Sequence, residues 1–203
     1  MAAFEPHPIV FEDLRQNATA SQSHGTCKPA LHQIALSDKT GPGVMDLGPE
    51  WENNRGTARI VANSTATGKE LPVRLATLDS IYHDDAWKCD VCKIDVEGHE
   101  LAVFKGAQSL LSKKRFRDII FEDRGSYPTA VQNLLQMYGY RVFSLHKRLF
   151  GPALVPLTTQ PEFKIGYEGE NFLATLEPQR ACERCSAKGW KVLSAGSTLD
   201  RSA

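Results

Sequence analysis

The chain has 203 residues, with 24 basic and 24 acidic side chains and a formal net charge of zero. That length suits one domain of ordinary size, and the neutral balance gives no global field toward nucleic acid or an anionic membrane. No run of about 18 apolar residues occurs, so no transmembrane helix is expected. The first residues, MAAFEPHPIVFEDL, lack a basic region and carry Glu5 and Glu12, so no secretory leader is expected. The five cysteines, Cys27, Cys89, Cys92, Cys182 and Cys185, are an odd number in a chain for which no leader is expected. They point to reduced thiols and a cytoplasmic protein. The Asn17 and Asn63 glycosylation patterns then carry no weight.

A short apolar lead ends at Glu5-Pro6-His7-Pro8, where two prolines stop a strand and open a helix. Phe11, Leu14 and Ala18 recur at helical spacing, which predicts a helix over 8–20. A strand is expected over 31–36, followed by a turn through Gly41-Pro42-Gly43. Residues 44–70 are polar, with Trp51, Ile60 and Val61 as apolar anchors, and read as weak antiparallel strands or a surface insertion. The alternation of Leu71, Val73 and Leu75 predicts an edge strand. Asp79 is expected as the N-cap of a short helix rather than as a site residue. Further strands are expected over 118–122 and 141–145, with a helix over 127–138 whose C′ residue is Gly139. A hairpin is expected from 163–165 and 172–176. Residues 1–176 are read as the domain and 177–203 as a polar, poorly ordered tail. Strand and helix signals alternate from residue 3 to 145, which argues an α/β sandwich with a mainly parallel sheet.

The chain is organised around CDVCKIDVEGHELAVFKG, residues 89–106. Its first half reads as a buried strand and its second half as the start of a helix running to Lys113-Lys114-Arg115. Cations there suit a helix C-terminus, so the run is not read as a nucleic-acid patch. Between strand and helix lie Asp95, Glu97, Gly98, His99 and Glu100. Ligands of open α/β sheets bind outside the carboxyl ends of the strands, and glycine lets the chain turn there. The competing view is that the acids merely complement the positive end of the helix. His99 is a candidate base near neutral pH. Asp95, Glu97 and Glu122 are alternatives, as base or as oxygen ligands of a divalent metal. The two CxxC pairs are not expected to hold zinc. They lie far apart, and residues three apart on a strand face opposite ways.

The runs FEPHPIVFEDLRQN, ALSD, TLD, KIDVEGHELAVFKGA, IIFE and NFLA, in that order, resemble the FkbM-type methyltransferases over roughly residues 4–176. The resemblance implies a Rossmann-like class I fold that uses S-adenosylmethionine to methylate hydroxyl groups of sugars or small metabolites. Carried over by position, Glu5 would hold the ribose hydroxyls of the cofactor. Ala35, Leu36 and Ser37 would lie near its adenine. Asp95, Glu97 and His99 would face the methyl group and a small-molecule acceptor. The family's first strand and Gly-rich loop have no counterpart here, so an N-terminally truncated member is expected. Strand edges left unpaired would favour a homo-oligomer. The alternative function is a degenerate, inactive domain that acts by binding a partner.

Overall fold

The computed structural model describes residues 1–22, 28–61, 68–124, 128–148, 151–157 and 170–187. The chain divides into two compact units. One comprises Met1–Cys89 and Ile94–Phe116, the other Asp90–Lys93 and Arg117–Ala203.

In the first unit, β1 (Ala2–Phe4) is followed by helix α1 (Pro8–Gln22), which opens on the proline that predicted it. The expected strand over 31–36 is two short strands, β2 (Ala30–His32) and β3 (Ala35–Leu36). They belong to different sheets: β2 pairs parallel to β1, and β3 parallel to a later strand. Residues 41–76 form β4 (Gly41–Asp46), β5 (Arg59–Val61) and β6 (Glu70–Ala76). The sheet order is β3-β6-β4-β5. The polar stretch is therefore antiparallel sheet, and β6 is an inner strand rather than an edge. Leu75 and Ala76 are buried because β6 has a neighbour on each side.

Helix α2 (Leu78–Ile81) is capped by Thr77, whose hydroxyl accepts from the Ser80 amide, and not by Asp79. Asp79 caps a different helix. Strand β7 (Cys89–Ile94) leads to α3 (Glu100–Lys105) and α4 (Gln108–Ser112). These two replace the single helix expected there. The break falls at Gly106 and Ala107. A Cβ on Gly106 would lie 2.0 Å from the Ser37 carbonyl oxygen, so only glycine admits that approach. The α4 N-cap, Ala107, has no side-chain acceptor. The Asp79 carboxylate supplies it, accepting from the Ser109 and Leu110 amides at 2.9 and 3.0 Å. Val103, Phe104, Leu110 and Leu111 are buried along this segment.

The second unit contains β8 (Phe116–Asp123), α5 (Ala130–Met137), β9 (Arg141–Arg148), β10 (Gly151–Pro156), β11 (Glu170–Thr175) and α6 (Pro178–Ser186). Its sheet order is β10-β9-β11-β8-β7, and β11 runs antiparallel to both β8 and β9. Phe172 stands opposite Phe121 in that register, their rings stacked at 5.4 Å. Strand β7 lies at the end of the order, and Val91 is exposed, so this strand is less buried than its composition predicts. Helix α5 starts on a capping box made by Thr129 and Gln132 and ends before Gly139 at φ 82°.

The sheets are mixed rather than mainly parallel. Among the described residues, two of the registered strand pairings are parallel and five antiparallel. Strand β10, which the sequence reading did not include, pairs antiparallel to β9 and adds to the antiparallel share. Residues 163–165 of the expected hairpin lie outside the described residues. Helix α6 occupies the start of the expected tail. Pro178 stands in its first turn, Ala181 is buried, and Arg180 pairs with Asp118 of β8.

Candidate active site

A cavity of about 280 Å³ lies within the first unit. Its size is near the lower end for small-molecule sites, about 300–1,000 Å³. One side comes from the end of β1, where Glu5, Pro6 and His7 line it, and another from the loop after β7, through Asp95, Val96, Glu97 and His99. Ala35 and Leu36 of β3 line it as well, beside Phe4 and Ile34.

Each functional side chain is placed by a local reason. The Glu5 amide donates to the His32 carbonyl at 3.1 Å, extending the parallel β1–β2 pairing to the residue before Pro6. Its Oε1 accepts from the His7 amide at 2.7 Å. Burial pushes the Glu5 carboxyl above its ordinary value, and the His7 amide only partly offsets this. His7 caps α1: its Nδ1 accepts from the Ile9 amide at 3.2 Å, and its ring lies 4.3 Å from that of Trp51. Burial, with the charge of Arg55, lowers its pKa, as suits an imidazole whose Nδ1 must stay an acceptor.

The corner after β7 is a tight turn. Glu97 and Gly98 both have positive φ, 51° and 90°. A residue with a Cβ seldom takes that conformation, and here it sets the side chain of a cavity-lining carboxylate. The Glu100 carboxylate folds back inside the corner, its Oε1 accepting from the Val96 and Gly98 amides at 3.2 and 3.3 Å. Of the three carboxylates in the sequence run, Glu100 thus braces the loop while Asp95 and Glu97 line the cavity. His99 Nε2 lies 2.9 Å from Ser37 Oγ. Burial lowers the His99 pKa, Asp38 acts against this, and Lys39 adds to it. The ring is therefore neutral at pH 7 and able to take a proton.

The structure brings Glu5, Ala35, Leu36, Asp95, Glu97 and His99 to one cavity. Ser37 does not line it: the residue is buried and its hydroxyl is engaged by His99 and Asp38. Glu122 belongs to the other unit, where it pairs with Arg124 at 2.9 Å. Sequence reasoning missed the wall made by 44–60. Met45, Trp51, Arg55, Ala58 and Ile60 all line the cavity. The signal was a lone Trp in a polar stretch that also carries a cation. Among the described residues, no helix is long and apolar enough to cross a membrane.

Residues 1–142 match the family model of the methyltransferase FkbM domain. A hexuronic acid methyltransferase of Haloferax volcanii, AglP, is 31% identical over 114 residues. That match takes in 56% of this chain and 44% of AglP, so the chain spans less than half of that relative. A crystal structure of a methyltransferase FkbM from Methylobacillus flagellatus aligns with 85% of this chain and 36% of its own, at 13% identity and a TM-score of 0.46. The family match contains Glu5, the 35–37 segment and the acidic corner after β7 in one span, and the chain belongs to the FkbM methyltransferase family.

Proposed function

We propose that the chain is an S-adenosylmethionine-dependent methyltransferase whose acceptor is a hydroxyl of a sugar or similar small molecule. One observation carries the reading: a single cavity joins an acid at a strand end, an apolar slot, and an acid-and-imidazole corner. The residues suit the cofactor. Phe4, Ile34, Ala35, Leu36 and Val96 offer apolar surface to a purine. A carboxylate such as that of Glu5 accepts hydrogen bonds from two ribose hydroxyls. When bound, the cofactor supplies a methyl group on a positively charged sulfur, which keeps the electron pair when the carbon–sulfur bond breaks.

The chain's own residues supply position and a base. The neutral His99 ring takes the proton as the acceptor oxygen forms its new bond to carbon, a contribution of typically 10²–10⁴-fold. Holding acceptor and methyl group in line supplies much of the remaining acceleration. Arg55 lines the same cavity; its Nη1 donates to Asp13 Oδ2 at 3.2 Å, and its other N–H groups remain for an acceptor carboxylate. Together with the name of the relative at 31% identity, this supports a uronic acid as acceptor. Such an acceptor offers a second oxygen, its carboxylate, which is already deprotonated and needs no base.

Incubation with S-adenosylmethionine carrying a labelled methyl group, and with glucuronic or galacturonic acid, tests the reading. Transfer that yields a base-stable ether, and falls at least about 100-fold in His99→Ala, fits the hydroxyl assignment. A base-labile ester formed at undiminished rate by His99→Ala assigns the carboxylate instead. No transfer to uronic or neutral sugars refutes the sugar reading.

A further inference from the structure

Ser37 is 1% exposed, and both of its backbone polar groups are constrained. Its amide donates to the Ala76 carbonyl at 2.9 Å, and its own carbonyl lies against Gly106. Its hydroxyl sits between two groups, 3.2 Å from Asp38 Oδ1 and 2.9 Å from His99 Nε2. A serine hydroxyl has one hydrogen, and an ionised carboxylate can only accept. The hydrogen therefore goes to Asp38, and Nε2 must carry its own hydrogen to donate to Ser37 Oγ. The opposite assignment, with the serine hydrogen on Nε2, sets serine lone pairs against the carboxylate.

We infer that Ser37, backed by Asp38, is a positioning residue that fixes His99 as the Nε2–H tautomer and so presents the Nδ1 lone pair as the proton-accepting atom. The tautomer of an imidazole is set by the bond its other nitrogen makes. His99 lines the cavity, and with Nε2 engaged by Ser37 the ring nitrogen that remains for a ligand is Nδ1. When Nδ1 takes the acceptor proton, the ring becomes an imidazolium. Its Nε2–H still points to Ser37, whose hydroxyl still points to the Asp38 carboxylate. No proton passes along this chain, and the one on Nδ1 leaves to solvent after the product. The inference rests on the methyl-transfer reading for the identity of the acceptor, but the tautomer is a property of the free protein.

Nitrogen-15 NMR of the histidine rings in the full chain, above the His99 pKa, tests it without turnover. The expected spectrum has His99 Nδ1 in the position of an unprotonated ring nitrogen and Nε2 in that of an N–H. In Ser37→Ala the preference is lost and the two nitrogens move toward averaged positions, while the amide fingerprint away from the corner is kept. If Ser37→Ala does not fold, Asp38→Ala carries the same decision, since Asp38 is exposed. A wild-type ring protonated at Nδ1 overturns the inference. So does an unchanged tautomer in the folded variant. Calorimetry with S-adenosylmethionine separates the two levels. Cofactor binding with the wrong tautomer refutes the positioning and leaves the methyltransferase reading intact. The right tautomer without cofactor binding refutes that reading, and with it the role assigned to Nδ1.

Discussion

Gly106→Ala places one methyl group where the fold has the least room. Gly106 has φ −78°, a conformation alanine adopts readily, so backbone strain does not enter. On helical propensity alone the change would stabilise by roughly 0.5–1 kcal/mol. Against that stands the Cβ at 2.0 Å from the Ser37 carbonyl oxygen, 3.0 Å from its carbon and 3.3 Å from Thr77 Cβ. The first distance is about 1 Å short of the closest approach Cβ atoms make. The obstacle is backbone, and neither side is free to swing away. The Gly106 amide donates to the Ala102 carbonyl at 3.0 Å, and its carbonyl accepts from the Asp79 amide at 2.9 Å. Overpacking a fixed site costs typically 1–3 kcal/mol, and this one belongs at the upper end, about 3 kcal/mol. For a chain of this size that is a fall in Tm of about 6–12 °C. Thermal unfolding followed by circular dichroism reads it directly. Gly43→Ala is the control: its Cβ would meet the Leu75 side chain at 2.6–2.8 Å, and a side chain can re-pack. It is expected to cost about 1 kcal/mol. A Gly106→Ala protein melting within about 2 °C of wild type refutes the argument that the Ser37 carbonyl forces the break between α3 and α4.

Asp79→Ala removes both acceptors from the start of α4 and is expected to cost about 1–2 kcal/mol in urea unfolding. A change below about 0.3 kcal/mol would mean that solvent caps that helix as well as Asp79 does. Acid stability has a carboxylate part and a histidine part. Burial pushes the Asp118 carboxyl up, but hydrogen bonds from Thr175, Arg117 and Arg180 together hold it below its ordinary value. A depressed carboxylate contributes stability that is present above its unfolded pKa and is lost as pH falls through the folded one. Asp118→Asn should therefore lower stability at pH 7 and flatten its decline below about pH 4. Equal slopes for the two proteins would contradict that. Buried His7 has a lowered pKa, so the unfolded chain binds its proton first, and stability falls as pH drops below about 6.5. His7→Asn keeps an acceptor for the Ile9 amide and removes the titration. Its stability should change less than wild type between pH 7 and 5, and an identical pH dependence would show that His7 does not titrate with folding.

The corner after β7 was legible because its chemistry is local: an apolar run, a glycine and a cluster of ionisable groups within six positions. The start of α1 was legible for the same reason, through Pro8, and the end of α5 through Gly139, whereas the start of α5 at Ala130 is set by the Thr129 and Gln132 capping box, which the sequence reading did not use. What escaped the sequence depends on neighbours distant along the chain. The split between α3 and α4 is set by a carbonyl some seventy residues earlier, so the Leu101 to Leu111 pattern reads as one helix. Asp79 had the composition of a cap, but the helix it caps begins thirty residues later. The wall at 44–60 has little periodicity, since β4 carries two glycines and a proline and its pairing with β6 is what orders it. Ser37 illustrates the same limit within the site. Its place in the sequence suits a ligand contact, yet in the fold its hydroxyl is taken up by His99 and Asp38.

In the reading proposed above, S-adenosylmethionine sits in the cavity between the end of β1 and the corner after β7, held by Glu5. Isothermal titration of the chain with the cofactor, beside Glu5→Gln, tests it most directly. Glu5→Gln keeps an acceptor for the His7 amide and so preserves the local structure, while removing the charge offered to the ribose hydroxyls. The expected result is binding by the wild type and a loss of about 1.5–3 kcal/mol, roughly 10–150-fold in Kd, in the variant. Equal affinity of the two proteins, or no binding by the folded wild type, would contradict it.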